Sequence, residues 1–190
     1  MRTKHTKKEK IIYNINKPYF YRRAHRRLCI CRSEMTKIRW FTDGCSAFNL
    51  SRIKLKGWGK LEELTDSNVV GSFDSGLVHF GEAPRVDTVL PGKGDERKPV
   101  TLSETSIVRD HGVQSSIKVL EPVEFKLTRG RFSGGVSYYN SLYLTWAMDG
   151  LSLIEVADEW SPLSIWREDD LLAVVMPMRI ELTKEEMKNE

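Results

Sequence analysis

Residues 160–180 constrain most strongly what this chain can fold into. They read Trp160-Ser-Pro-Leu-Ser-Ile-Trp-Arg-Glu-Asp-Asp-Leu-Leu-Ala-Val-Val-Met-Pro-Met-Arg-Ile180. An apolar run from Pro162 to Trp166 is followed by a charged turn from Arg167 to Asp170, and then by a longer apolar run from Leu171 to Met178. Two strands joined by a tight polar turn have this texture. Pro177 has no N–H to give to a ladder, so it marks a strand end or an edge. The charged residues from Glu181 onward fall outside the apolar pattern.

A chain of 190 residues suffices for one domain, or for one domain and part of another. No apolar run approaches the roughly 20 residues that cross a bilayer. The first residues are basic and no apolar region follows them, so no secretory signal is expected. The three cysteines, Cys29, Cys31 and Cys45, are odd in number and form no C-x-x-C pair. Neither a disulfide scaffold nor a zinc site is indicated, and a cytoplasmic location is expected.

The net charge of +4 conceals an asymmetry: residues 1–35 hold 11 Lys+Arg against 2 Asp+Glu, and the rest of the chain is net acidic. In this head, cations interleave with Tyr19, Phe20 and Tyr21. One reading is a nucleic-acid-binding arm, in which Arg22, Arg23, Arg26 and Arg27 displace counterions from phosphates while the aromatics stack on bases. The other is a solvated tail, or a chain whose start lies at Met35. Such a composition favours disorder, so residues 1–35 are expected to form a basic, disordered arm.

Beyond Thr36 the pattern becomes strand-like. Lys37-Ile-Arg-Trp-Phe41 alternates, Thr42-Asp-Gly44 signals a turn, and residues 47–55 continue the sheet. Further strands are expected within 72–80, 100–103, 117–120 and 123–127, with Pro122 as a break, and Gly130 and Gly134-Gly135 framing a turn. Asn140 as N-cap, Gly150 at C′ and aromatic residues at helical spacing predict a helix over 140–149. A strand over 151–156 then leads into the hairpin.

Catalytic patterns are sparse. The histidines are His5, His25, His79 and His111, with no H-x-x-x-H pair, and there is no G-x-S-x-G elbow. His111 beside Asp110 has no evident nucleophile to activate and reads as an exposed turn pair. Residues 92–99 lack the spacing of a phosphate-binding loop. No catalytic residue, metal ligand or cofactor site is assigned, and the chain is not expected to be an enzyme.

Four islands resemble the bacterial sliding clamp, the beta subunit of DNA polymerase III, and they occur in that family's order. Val174-Val-Met-Pro-Met-Arg-Ile180 resembles its closing V-V-M-P-M-R-[LI], preceded by Ser161-Pro-Leu-Ser-Ile165, which resembles the penultimate strand. Residues 136–148 resemble its last strand and helix. Trp40-Phe-Thr-Asp-Gly44 resembles the middle domain's A-T-D-G-H-R-L-A. Pro84-x-x-x-x-Val89-Leu-Pro91 resembles the P-D-Y-x-x-V-L-P link between middle and last domains. The resemblance implies an apolar pocket for short linear peptides of polymerases and repair proteins. It would comprise Thr42, Gly44, Pro84, Val89, Val174, Val175, Met176, Pro177, Met178, Arg179 and Ile180, with methionine adapting to varied apolar side chains.

There are departures. Cys45-Ser-Ala47 stands where the family has H-R-L, the chain is too short for three clamp domains, and residues 140–149 carry no Lys or Arg. The expected fold is therefore α+β, sheet-rich and clamp-like, with one or two short helices. The expected divisions are an arm over 1–35, a reduced middle-domain segment over 36–91, a last-domain segment over 92–183 and a charged tail over 184–190. The expected function is a non-catalytic DNA sliding clamp or clamp-like processivity factor. It would tether replication and repair proteins to double-stranded DNA without sequence preference, as a homo-oligomer if it closes a ring. The alternatives are a clamp-derived peptide-binding module that does not encircle DNA, and an unrelated basic-armed nucleic-acid-binding protein.

Overall fold

The structure is a computed structural model and describes residues 13–15, 28–42, 44–55, 69–72, 77–80, 85–92, 94–111, 123–148 and 150–188. Strand dominates. The elements that position the site are β2 (Leu28–Arg32), β3 (Arg39–Thr42), β4 (Ser46–Asn49), β9 (Thr101–His111), β10 (Val123–Phe132), β11 (Gly135–Asn140), β12 (Leu153–Val156), β13 (Leu163–Arg167) and β14 (Asp170–Val175). The others are β1 (Tyr13–Ile15), β5 (Ile53–Leu55), β6 (Val69–Ser72), β7 (Leu77–Phe80) and β8 (Lys98–Pro99). Among the described residues the one α-helix is α1 (Lys184–Lys188).

Nine strands form one sheet in the order β7-β6-β2-β3-β4-β14-β13-β12-β8, and β11-β10-β9 form a second. Both are antiparallel throughout. A separate parallel pair joins β1 to β5. The hairpin read from residues 160–180 is present as β13 and β14, with Arg167 opposite Asp170 and Glu168 at φ 52 in the turn.

The apolar run of β14 is continuous because this strand is covered on both faces. Ala173 and Val175 point into the larger core with Phe41, Phe48, Leu163 and Ile165. Val174 points the other way, into a cluster with Trp40, Ala47, Val86 and Leu90. A bulge on β14 opposite the Ile165–Trp166 step resets the alternation. It leaves Leu172 and Ala173, neighbours in sequence, both in the larger core.

β2 lies inside the nine-stranded sheet between β6 and β3, with Ile30 and Cys31 buried. The boundary expected at Met35 therefore falls after this strand. Pairing of β4 with β14 also carries the sheet across the two expected segments, 36–91 and 92–183, without a break in the ladder.

Residues 140–149 do not form the expected helix. Asn140 does cap, its Oδ1 accepting from the Leu142 N–H, and Gly150 does adopt a positive φ of 75. Between them lie two 3-10 turns, Ser141–Tyr143 and Thr145–Ala147. Trp146 Nε1 donates to the Tyr143 carbonyl at 2.7 Å, the acceptor an α-helical Ala147 N–H would need. The Ala147 N–H instead bonds to Leu144 O at 2.8 Å, the tighter i to i−3 pattern.

Gly130 lies within β10, and the turn it was expected to frame with Gly134-Gly135 follows Phe132. A Cβ there would lie 2.9 Å from both Tyr139 Cε2 and Val100 Cγ1. The glycine therefore admits the Tyr139 ring beneath the strand. Residues 117–120 and Pro122 lie outside the described residues.

Candidate functional site: an apolar groove beside the last strand

Three contacts fix the route of the chain after β14. The Met176 N–H donates to Cys45 O at 2.8 Å, continuing the β14–β4 ladder by one step. Two residues later the Met178 N–H donates to Tyr138 O, also at 2.8 Å, as an isolated antiparallel bridge to β11. Pro177 lies between them. The chain crosses from one sheet to the other through a residue with no N–H to satisfy.

This crossing creates a groove of about 510 Å³. One wall is the run from Met176 to Leu182, and the facing wall is Val136, Ser137 and Tyr138 of β11. Glu159 and Trp160 form its rim. Trp160 is 61% exposed, an unusual position for so large an apolar ring. Its loop is fixed by Asp158, whose Oδ1 accepts from the Trp160 and Ser161 N–H groups at 2.8 Å each. Bonds from Ser161 and Trp160 hold the Asp158 carboxyl below its ordinary pKa. Ser137 Oγ donates to Glu159 O at 2.9 Å and ties the same loop to β11. The Arg179 guanidinium lies 5.5 Å from the centre of the Trp160 ring, within cation–π range.

The residues expected to form a pocket divide into three groups. Met176, Pro177, Met178, Arg179 and Ile180 line the groove. Val174 and Val175 are 2% and 0% exposed and pack on opposite faces of the sheet, so they support the wall from beneath. Thr42, Gly44 and Val89 do not line the groove. Thr42 Oγ1 donates to Ser46 O at 2.7 Å and accepts from the Gly44 N–H at 3.1 Å. Gly44, at φ 84, closes the β3–β4 turn that presents Cys45 O to Met176. Val89 packs against the cluster that contains Val174.

Pro84, Arg22, Arg23, Arg26 and Arg27 lie outside the described residues. The opposite wall, Val136 to Tyr138, and the rim residue Trp160 were not assigned from sequence. The available signals were the Val136-Ser-Tyr138 alternation and a tryptophan directly before the hairpin. Neither identifies its partner across the groove. Among the described residues there is no group of three or more His, Cys, Asp or Glu arranged to hold a metal. None of the described helices is long and apolar enough to cross a membrane.

Comparison with protein-family models, with curated proteins and with solved structures returns no match.

Proposed function

We propose that this chain is a non-catalytic, sliding-clamp-like protein that captures short linear peptides in the groove formed by residues 176–182, β11 and Trp160. The observation that carries the reading is the run from Met176 to Ile180. It is the stretch that resembles the clamp's closing motif, and it lines an open groove while Met178 and Ile180 also pack against Ile107, Phe125 and Leu127. The meeting of distant segments gives further support. The turn of Thr42 and Gly44 meets the end of β14, where Cys45 O accepts from the Met176 N–H, and Val89 packs in the cluster that contains Val174.

Two flexible methionines and two aromatic rings suit an apolar anchor, while Arg179 and Glu159 at the rim can orient the peptide backbone and its polar residues. In this scheme the partners are polymerases and repair proteins that carry such peptides. The basic residues ahead of β2, with Arg22, Arg23, Arg26 and Arg27, supply an electrostatic, sequence-independent hold on double-stranded DNA. Encircling a duplex would need several copies, and light scattering decides between a ring and a single-copy module.

The test is fluorescence anisotropy of a labelled peptide with leucine and phenylalanine anchors. Met176→Ala and Met178→Ala should each weaken binding about tenfold, the scale of truncating one anchor contact. Undiminished binding after both changes would refute the groove.

A further inference from the structure

Resemblance to the clamp ends at Ile180, yet the chain continues, and its continuation is folded back onto the second sheet. Ile180 and Leu182 pack, together with Tyr138 and Met178, against Ile107, Phe125 and Leu127 of β9 and β10. Beyond Leu182 the hold changes character. No residue of α1 is buried, and a helix of five residues cannot hold itself together in water. Its attachment to the body is a fork: Arg109 Nη1 and Nη2 donate to Glu186 Oε1 and Oε2 at 2.7 and 3.0 Å. The same Glu186 accepts from the Thr183 N–H at 2.9 Å, and Thr183 Oγ1 accepts from the Glu186 N–H at 3.3 Å. This reciprocal cap sets the carboxylate at the angle Arg109 requires.

We propose that residues 181–188 are a latched strap that sets the length of the groove, an inference that rests on the peptide-binding role above. Docked, Glu181 and Leu182 line the groove, and Leu182 covers part of the Ile107, Phe125 and Leu127 face. Released, the strap takes Leu182 off that face, while Tyr138, Met178 and Ile180 stay on it. Tyr138 and Met178 belong both to the groove wall and to this apolar cluster, so the uncovered face continues the groove without a gap. Its occupant is the extra apolar residue of a longer linear peptide, which takes the place of Leu182. A short peptide fills the groove with the strap in place, whereas a longer one competes with it. Arg109 and Glu186 are positioning residues in this device and touch no peptide.

The experiment uses the full chain and two peptides, one short with leucine and phenylalanine anchors and one extended by two apolar residues. Both are titrated into the parent protein, Glu186→Gln and the charge-swapped Arg109→Glu/Glu186→Arg pair, with amide exchange of residues 183–188 followed in each. Glu186→Gln should speed that exchange at least tenfold and tighten the extended peptide about tenfold, leaving the short peptide unchanged. The swapped pair, which regains the ion pair but not the Thr183 N–H bond to residue 186, should recover part of both values. Unchanged exchange in Glu186→Gln, or faster exchange with neither affinity altered, or equal changes for both peptides would overturn the strap alone. Binding of neither peptide to any variant would overturn the peptide-binding role, and the strap's gating with it.

Discussion

Met178 donates its N–H to the carbonyl of Tyr138 at 2.8 Å, and this bond joins the end of the nine-stranded sheet to the three-stranded one. Two residues earlier Met176 is bonded to Cys45. The groove exists because consecutive residues of one short segment are claimed by two different sheets. The side chains of the two methionines that make these bonds are left partly buried instead of fully packed.

Pro177 stiffens that crossing. Its ring fixes φ at the one position where no donor is needed. Replacing it with alanine frees the unfolded chain and should lower stability by about 0.4–1 kcal/mol. Urea unfolding at constant m-value would measure this, and an unchanged midpoint would contradict it.

Gly130 makes a sharper demand. A methyl group there meets Tyr139 Cε2 and Val100 Cγ1 at 2.9 Å. Tyr139 is 0% exposed, so its ring has little space into which to retreat. Gly130→Ala should cost about 1–3 kcal/mol, the usual range for overpacking. Thermal and chemical unfolding would report the loss.

The helix expected over 140–149 and the steric demand at Gly130 show which features local sequence does not encode. The β13–β14 hairpin was legible because its apolar runs and charged turn are local signals. The turn at Thr42 to Gly44 was legible for the same reason. Residues 140–149 carried sound caps at both ends, but the interior was decided by the Trp146 indole bonding to Tyr143 O, a choice no propensity encodes. The steric demand at Gly130 was not legible because the ring that requires it, Tyr139, comes from the neighbouring strand. The groove divides in the same way. Met176 to Ile180 stood out as a motif. Tyr138 and Trp160 reach it only through a cross-sheet bridge and a loop held by Asp158. The charged tail from Glu181 fell outside the apolar pattern, and only the fold brings Arg109 to Glu186.

That pair gives a dependence on pH. Hydrogen bonds from Arg109, aided by the Thr183 N–H, lower the Glu186 carboxyl from 4.5 to about 2. A depressed carboxylate stabilises the docked form fully above its ordinary value, and the contribution is lost as pH falls through the depressed one. Protection of the 183–188 amides, corrected for intrinsic exchange, should therefore hold above about pH 4.5, decline below it and vanish near pH 2. Glu186→Gln should lack this transition. Identical profiles for the two proteins would contradict the latch.

The basic head can be tested by its salt dependence. Each phosphate contact contributes about 0.9 to the slope of log affinity against log salt. Replacing Arg22, Arg23, Arg26 and Arg27 with alanine should weaken duplex binding equally for unrelated sequences and flatten the slope by up to about 3.6. An unchanged slope would remove these four residues from DNA contact. A truncation reaching residue 34 is unsuitable for this purpose, because it deletes β2 with the buried Ile30 and Cys31.

The central claim is that the run after β14 is a peptide wall, and methionine methyl resonances test it most directly. In protein labelled at the methionine methyl groups and titrated with the short peptide, Met176 and Met178 should shift saturably with a common affinity. Met35, which is 62% exposed and does not line the groove, should stay in place. Saturable binding that leaves Met176 and Met178 unmoved, or no binding at all, would contradict the account.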